Sequence, residues 1–453
     1  MKIVIIGGGS VGSAITAQLA GEGHDITVID ESFGVLTEMS NTNDVYGVVG
    51  NGADISILKK ADIDKADLVI AVTNSDEVNI LCCTASKKLG AKHTVARVRK
   101  PEYSELMQLL KSDMNLSMTI NPELAAAKEI YRTLRFPSAA KIDTFCRGRV
   151  ELAEFVVSAD SPIAGQTLND LRNKLNIKFL VCGVLRGGEA VIPSGFFKIE
   201  AGDRLFITIP DEEVTAFFKA IGAHKHPVKN VLIVGGGRVT YYLLGMLKKA
   251  KIDPTVIEEN KELSRELAEA FNCTVINDKG TKQELLMEEN FDTADAFLTL
   301  SNDDENNAIV SLYAKNKGAK KIVTLISSMS YIDLFKDMGL DTIISPKTST
   351  ASYILRYVRS MSNAIGSDIE SLHMIMEGKA EAIEFKVKEN IENLTLVPLK
   401  ELGPKLKKGV LIACIARDGK VIISTGNDFI APGDTVIVVT TVTQINGIKE
   451  ILK

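Results

Sequence analysis

The sequence has no tryptophan, and among its 453 residues only five histidines and six cysteines. None of the histidines stands at metal-site spacing from a cysteine or carboxylate, so the pattern offers no metal site. His24 and His93 stand where strands are expected to begin, and His224 and His226 lie in an expected linker. Cys82, Cys83, Cys146, Cys182, Cys273 and Cys414 show no C-x-x-C spacing and sit mostly in apolar segments. That placement reads as buried free thiols in a reducing cytoplasm rather than a redox or metal centre. No apolar run approaches the roughly 18–20 residues of a membrane-spanning helix. Met1–Ile6 leads straight into an expected strand, so no signal segment is read there either. The expected location is cytoplasmic, with no direct membrane insertion and any membrane contact made through a partner. A net charge of −5 also leaves no general excess of positive charge for nucleic acid.

What is present is a globular composition in a chain too long for one ordinary core, which implies two to four domains. The chain is organised around Lys2–Gly12, K-I-V-I-I-G-G-G-S-V-G. An apolar run ends in Gly7, and Gly7, Gly9 and Gly12 follow at G-x-G-x-x-G spacing before a helical segment, Ser13–Glu22. In a dinucleotide-binding βαβ unit the first glycine makes the tight turn and the second admits the pyrophosphate. The third lets helix and strand pack closely, and the phosphates meet the helix N-terminus. Gly8, Ser10 and Val11 complete this loop. A second apolar run, Asp25–Ile29, closes on Asp30. That carboxylate lies about 20 residues past the loop, the spacing of a ribose ligand. The alternative for Asp30 is to cap the helix starting near Ser32.

From Met1 to about Arg135, strand runs (Lys2–Ile6, Asp25–Ile29, Val45–Val49, Leu68–Ala71, Thr94–Val98) alternate with helical segments (Glu31–Asn41, Ser56–Ala61, Asp76–Leu89). This predicts a parallel sheet covered on both faces, with ligands outside the carboxyl ends of its strands. Three segments should reach that edge: Gly50–Ala53 with Asn51 and Gly52, Thr73–Glu77 with Thr73 and Asn74, and Arg97–Arg99. Thr73-Asn74-Ser75 could instead form only a turn, and Arg97 could be a phosphate contact or a surface ion-pair partner. Asp76 and Glu77 are read as charges favouring a helix N-terminus. Asn121–Arg135 reads as a helix, and from Lys141 three strand-like runs, Glu151–Val157, Lys178–Leu185 and Arg204–Ile209, mark a small β-rich module.

The chain then starts again, 228 positions on, Gly7 returning as Gly235 in N-V-L-I-V-G-G-G-R-V-T. Asp30 falls on Glu258, Thr73–Glu77 on Ser301–Glu305, and Asn79 on Asn307. The β-rich module repeats too, Gly202-Asp203 returning as Gly433-Asp434. Repetition on this scale means duplicated domains. The fold class is α/β: two tandem Rossmann-like, doubly wound parallel-sheet domains, each followed by a small α+β module. The expected domains are 1–140, 141–227, 228–366 and 367–453. The second copy departs at Thr240, which replaces Gly12 and should crowd the helix–strand approach, and at Leu325, which replaces Arg97. Asn51-Gly52 becomes Lys279-Gly280. Its site is expected to bind more weakly or differently; the alternative is a structural remnant. Neither β module offers the acid or base that a dehydrogenase places by its nicotinamide. No catalytic residues are therefore assigned, and binding that biases domain arrangement is the favoured mechanism.

The glycine loop, Asp30, V-T-N-S-D-E-V-N at 72–79, A-R-V-R at 96–99 and the full-length duplication resemble the TrkA family. These are cytosolic regulatory subunits of Trk-type potassium uptake systems, built from two RCK (KTN) units. The resemblance implies a non-enzymatic subunit that binds NAD(H), or ATP or ADP, on its Rossmann-like parts. It implies a ring, here a homotetramer, that gates a membrane-embedded potassium translocation subunit from the inner face of the cell membrane. Carried over by position, the nucleotide would sit on Gly7–Val11, Asp30, Thr73, Asn74 and Arg97. In the second half it would meet Gly235, Gly236, Gly237, Arg238, Val239, Glu258 and Ser301. The small modules would be RCK C-terminal domains. The competing reading is an NAD-dependent oxidoreductase with a duplicated cofactor domain, and a weaker one is a binding module for another transporter or channel.

Overall fold

The structure is a computed structural model. It describes residues 1–110, 114, 116–135, 141–145, 150–175, 177–222, 228–289, 291–328, 332–340, 342–364, 369–376, 379–442, 445 and 447–453. Cys146, His224 and His226 lie outside these residues, and the expected domain boundaries near 140, 227 and 366 fall at undescribed positions.

The first α/β domain runs β1 (Lys2–Ile6), α1 (Ser10–Gly21), β2 (Asp25–Asp30), α2 (Phe33–Thr42), β3 (Tyr46–Val49), α3 (Ile55–Lys60), β4 (Leu68–Ala71), α4 (Asp76–Leu89), β5 (His93–Arg97), α5 (Pro101–Leu110), β6 (Met118–Ile120) and α6 (Pro122–Arg135). The first small module has β7 (Lys141–Phe145), β8 (Val150–Val156), α7 (Leu168–Lys174), β9 (Leu180–Arg186), β10 (Glu189–Val191), β11 (Arg204–Pro210) and α8 (Val214–Ala220). The second α/β domain repeats the first as β12 (Asn230–Val234), α9 (Arg238–Ala250), β13 (Asp253–Ile257), α10 (Lys261–Phe271), β14 (Thr274–Ile276), α11 (Gln283–Glu288), β15 (Ala296–Thr299), α12 (Asp304–Asn316), β16 (Ile322–Leu325), α13 (Ile332–Asp337), β17 (Ile343–Ile344) and α14 (Pro346–Ala364). The last module comprises β18 (Ile369–Ile375), β19 (Ala380–Lys386), α15 (Leu399–Leu402), β20 (Val410–Arg417), β21 (Lys420–Ile423) and β22 (Thr435–Thr440). No described helix is long and apolar enough to cross a membrane.

Both large sheets are parallel, with strand orders β3-β2-β1-β4-β5-β6 and β14-β13-β12-β15-β16-β17. Each reverses direction beside its first strand, which opens a crevice at the carboxyl ends of β1 and β4, or of β12 and β15. The strands read as near-continuous β-branched runs because helices cover both faces: β1 has Ile3, Val4, Ile5 and Ile6 all buried.

By contact the chain gathers like with like: one compact unit is Met1–Tyr131 with Val228–Leu355, the other Arg132–Pro227 with Arg356–Lys453. In the second unit, alternation along each strand sends one face into a private core and the other into a shared one. Phe155 and Ala153 of β8 enter the first module's core, and Val436 and Val438 of β22 enter the second's. Val150 and Leu152 of β8 meet Ile437 and Val439 of β22 in a common cluster with Cys182 and Cys414. Arg186 is a bidentate partner of buried Asp203, and Arg417 repeats this with Asp434, so both pairs staple strand to hairpin. The described cysteines are free thiols. Burial pushes Cys82 up to about 11 and Cys182 up to about 12, so neither is a ready nucleophile.

The expected crowding at Thr240 is resolved by a hydrogen bond. In the first half a Cβ on Gly12 would stand 1.9 Å from Gly7 O. In the second, the Thr240 hydroxyl donates to Gly235 O at 2.6 Å, fully buried. Thr240→Val keeps the shape and strips that donor. It should cost the second α/β domain about 1–2 kcal/mol, read as faster local amide exchange in α9.

Candidate functional site

Gly7 has φ +103°, and a Cβ there would stand 3.0 Å from Thr73 N, so the turn lies directly on the segment after β4. Gly9 caps α1, which begins at Ser10, three residues earlier than the pattern predicts. At the end of β2 the Asp30 carboxylate accepts from Gly8 N at 2.7 Å and from Ser32 N at 2.8 Å. Ser32, not Asp30, is the helix cap, accepting from Val35 N. Asp30 is therefore held against the glycine loop, half exposed, with its second oxygen on the Ser32 loop. Asn51 spends its side-chain oxygen on Ala53 N in a local turn, and Gly52 is buried beneath Ile6. Val11 and Val239 point into the cores and offer the crevice only backbone.

A fully buried asparagine builds the next wall. Asn79 accepts from Thr73 N at 2.8 Å and from the Thr73 hydroxyl at 2.7 Å. Its amide donates to Thr73 O at 3.1 Å and to Arg97 O at 3.0 Å, tying the end of β4 to the end of β5. Asp76 and Glu77 both stand in the first turn of α4, as the helix-charge reading has it, and Asp76 does more. Ser75 caps α4, and the Asp76 carboxylate is buried, accepting from Arg99 N and Lys100 N at 2.8 Å each. Glu77 stays exposed and takes Lys100, Ser75 and Tyr103, with the Lys100 bond foremost in holding its carboxyl far below the usual range.

Arg97 is buried at 6% exposure, where the sequence left a surface ion pair open. Its Nη2 donates to Thr73 O and lies 3.5 Å from Asn74 Oδ1, while Nε is buried with no hydrogen-bond partner. Burial, with Arg99 beside it, pulls the Arg97 guanidinium down to about 10, still cationic at neutral pH. Glu123, at the start of α6, has a buried, unbonded Oε2. Burial raises its carboxyl above the usual range against the pull of Arg99, Arg238 and Arg97. The fold thus favours protonated Glu123, and this group's contribution to stability is full below the ordinary carboxylate range. That contribution fades as pH rises through the raised value. Glu123→Gln should therefore raise the unfolding temperature at pH 7–8, a gain that closes below pH ~4 in a thermal melt series.

The second half rebuilds the same cradle. Gly235 has φ +100° and lies on Ser301; Glu258 accepts from Gly236 N at 2.6 Å and Asn260 N at 2.7 Å. Asn307 brackets Ser301 and Leu325 O as Asn79 brackets Thr73 and Arg97 O. Asp304 accepts from Ser327 N and Ser328 N as Asp76 does from Arg99 and Lys100. Gly237 caps α9 and Arg238 stands exposed in its first turn. Leu325 is buried where Arg97 stood, so this crevice lacks the strand-end guanidinium.

Comparison with known proteins adds to this geometry. Residues 3–118 and 231–346 match the TrkA-N domain family, and 152–222 and 383–453 match the TrkA-C domain family. The Trk system potassium uptake protein TrkA of Vibrio alginolyticus is 32% identical over 443 residues, covering 96% of this chain and 95% of that protein. TrkA homolog 2 of Methanosarcina mazei is 31% identical over 463 residues, covering all of both. Among solved structures, the GsuK channel bound to NAD superposes with a TM-score of 0.64 at 17% identity, covering 97% of this chain and 76% of that one. The GsuK RCK domain matches at 0.64 and 17%, covering 97% and 92%. Tandem RCK units are thus the shared fold.

Proposed function

From the premise that this chain belongs to the TrkA family of Trk system potassium uptake proteins, we propose that it is a nucleotide-sensing regulatory subunit. In this reading NAD(H), or ATP or ADP, binds the α/β domains, and the bound state gates a membrane-embedded potassium translocation subunit. The observation that carries the reading is the duplicated cradle: twice in one chain, a carboxylate ending the second strand clasps the middle glycine N–H. Such a carboxylate would offer ribose hydroxyls an acceptor pair beside a helix N-terminus suited to phosphate.

In the first half the ligand contacts are Gly7, Gly8, Gly9, Ser10, Val11, Gly12, Asp30, Asn51, Gly52, Thr73, Asn74 and Arg97. The unpaired Nε of Arg97 suits a phosphate oxygen. In the second they are Gly235, Gly236, Gly237, Arg238, Val239, Glu258 and Ser301, with weaker phosphate binding because Leu325 replaces the guanidinium. The domains divide at 1–140, 141–227, 228–366 and 367–453. The working assembly is a homotetrameric ring at the cytoplasmic face of the membrane, held there by its partner.

Calorimetric titration of the full chain with NAD, NADH, ATP and ADP tests this, alongside an assay of NADH consumption. Saturable binding without turnover is expected. Absence of binding by all four, or NADH turnover at an enzyme-like rate, would sink the reading.

A further inference from the structure

Tyr242 lies on α9, one turn past the second glycine loop, yet its polar end belongs to the first α/β domain. Its hydroxyl donates to Arg99 O at 2.7 Å and accepts from the Asn121 amide at 2.8 Å. The same amide donates to Arg99 O at 3.1 Å, while Asn121 Oδ1 accepts from Leu124 N in the first turn of α6. Arg99 is in turn bound from its other side: its N–H donates to buried Asp76, and its guanidinium donates to Asn74 O. A continuous run of hydrogen bonds therefore joins the helix carrying the second phosphate loop to Asn74, at the wall of the first crevice.

The repeat makes this contact asymmetric. At the offset that places Gly7 on Gly235, Tyr242 corresponds to Ala14, which has no hydroxyl. Asn121 stands before Pro122 at the start of α6, as Ser345 stands before Pro346 at the start of α14 four positions short of that offset, and the Ser345 hydroxyl is buried with no hydrogen-bond partner. Pseudo-symmetry thus leaves an empty socket on one side and a filled one on the other. A contact needed only to pack the two domains would serve equally well on both sides. One made once gives the two halves unequal influence on each other.

We propose that Tyr242 is a positioning residue that couples the two nucleotide sites, transmitting occupancy of the second glycine loop to the Asn74–Arg99 wall of the first. This rests on the reading that both halves bind adenine nucleotides. Ligand drawing the N-terminus of α9 toward its phosphates shifts Tyr242, and with it Arg99 O. The linkage is reciprocal, so occupancy of the first site changes second-site affinity by the same factor.

The test is calorimetry of the full chain with ADP. First-site affinity is compared between wild type, where both sites fill, and Glu258→Ala, where the second is silenced. A difference of about fivefold is expected, the lower end of typical couplings. In Tyr242→Phe, which keeps the ring against Tyr241, the same comparison should give a ratio near one. Asn121→Asp keeps the acceptor for Leu124 N, removes the donor, and should also abolish the difference. An unchanged ratio in both variants, or no effect of Glu258→Ala in wild type, overturns the coupling while leaving nucleotide binding intact. No binding by wild type of ADP, ATP, NAD or NADH overturns both readings.

Discussion

Replacing Asp30 by alanine should remove adenine-nucleotide binding from the first half of the chain and leave the second half's binding step in place. The carboxylate ends β2 with one oxygen on Gly8 N and the other on Ser32 N. Ribose hydroxyls would approach those same two oxygens, through charge-assisted bonds worth about 1.5–3 kcal/mol each. Losing such a pair weakens affinity at least about 100-fold. The competing role, tethering the α2 cap, predicts a different outcome: lower stability with affinity unchanged. Because Ser32 itself caps α2, the stability cost should be no more than about 1–2 kcal/mol. Calorimetry and a denaturant titration on one variant separate the two. Asp30→Asn sharpens the result, since it keeps one acceptor and loses the charge, so an intermediate affinity is expected. The same negative charge should make NADPH a poorer ligand than NADH, its 2′-phosphate facing Asp30. Unchanged affinity in Asp30→Ala refutes the ribose role.

The strands around this site were legible because a buried parallel strand is written as a local run of β-branched residues. Lys2–Ile6, Leu68–Ala71 and the helix Asp76–Leu89 stand as the pattern predicts. Asp30 and the glycine loop were legible for the same reason, their spacing being a local property. The rest depended on distant partners. T-N-S-D-E offers two short side chains at a helix start. Nothing local says that Ser75 caps while Asp76 turns inward to amides beyond β5. Strand alternation, which sends side chains two apart to one face, sets Arg97 and Arg99 on one side. It could not say that Arg97 is buried against Thr73 O while Arg99 reaches Asn74 O. Thr240 looked disruptive because side-chain volume is visible in a sequence and the carbonyl that accepts its hydroxyl is not. The shared core of the small modules was hidden likewise. Two-faced burial of β8 and β22 needs a partner sheet that lies more than two hundred residues away in the chain.

Asn79 marks the limit of that reading, visible in the sequence only as a repeated letter at Asn307, and its removal carries the second large expected effect. It is fully buried and makes four hydrogen bonds, two accepted and two donated. Alanine would strand Arg97 O and Thr73 N in a desolvated wall, leaving Thr73 O only its Arg97 donor, at a cost of about 3 kcal/mol. The loss falls on the ends of β4 and β5, so it should appear as local opening. Hydrogen exchange over residues 68–100 should accelerate by about 100-fold, with residues 296–325 unaffected. Asn307→Ala should invert that map, since Asn307 holds Ser301 and Leu325 in the same four bonds. The two variants should part in binding. Asn79→Ala loosens the segment that presents Thr73, Asn74 and Arg97, and so should lower first-site affinity as well as stability. Asn307→Ala loosens a wall with no guanidinium and should cost stability with a smaller change in affinity. Equal affinity losses in both would mean that Arg97 takes no part in holding the phosphates.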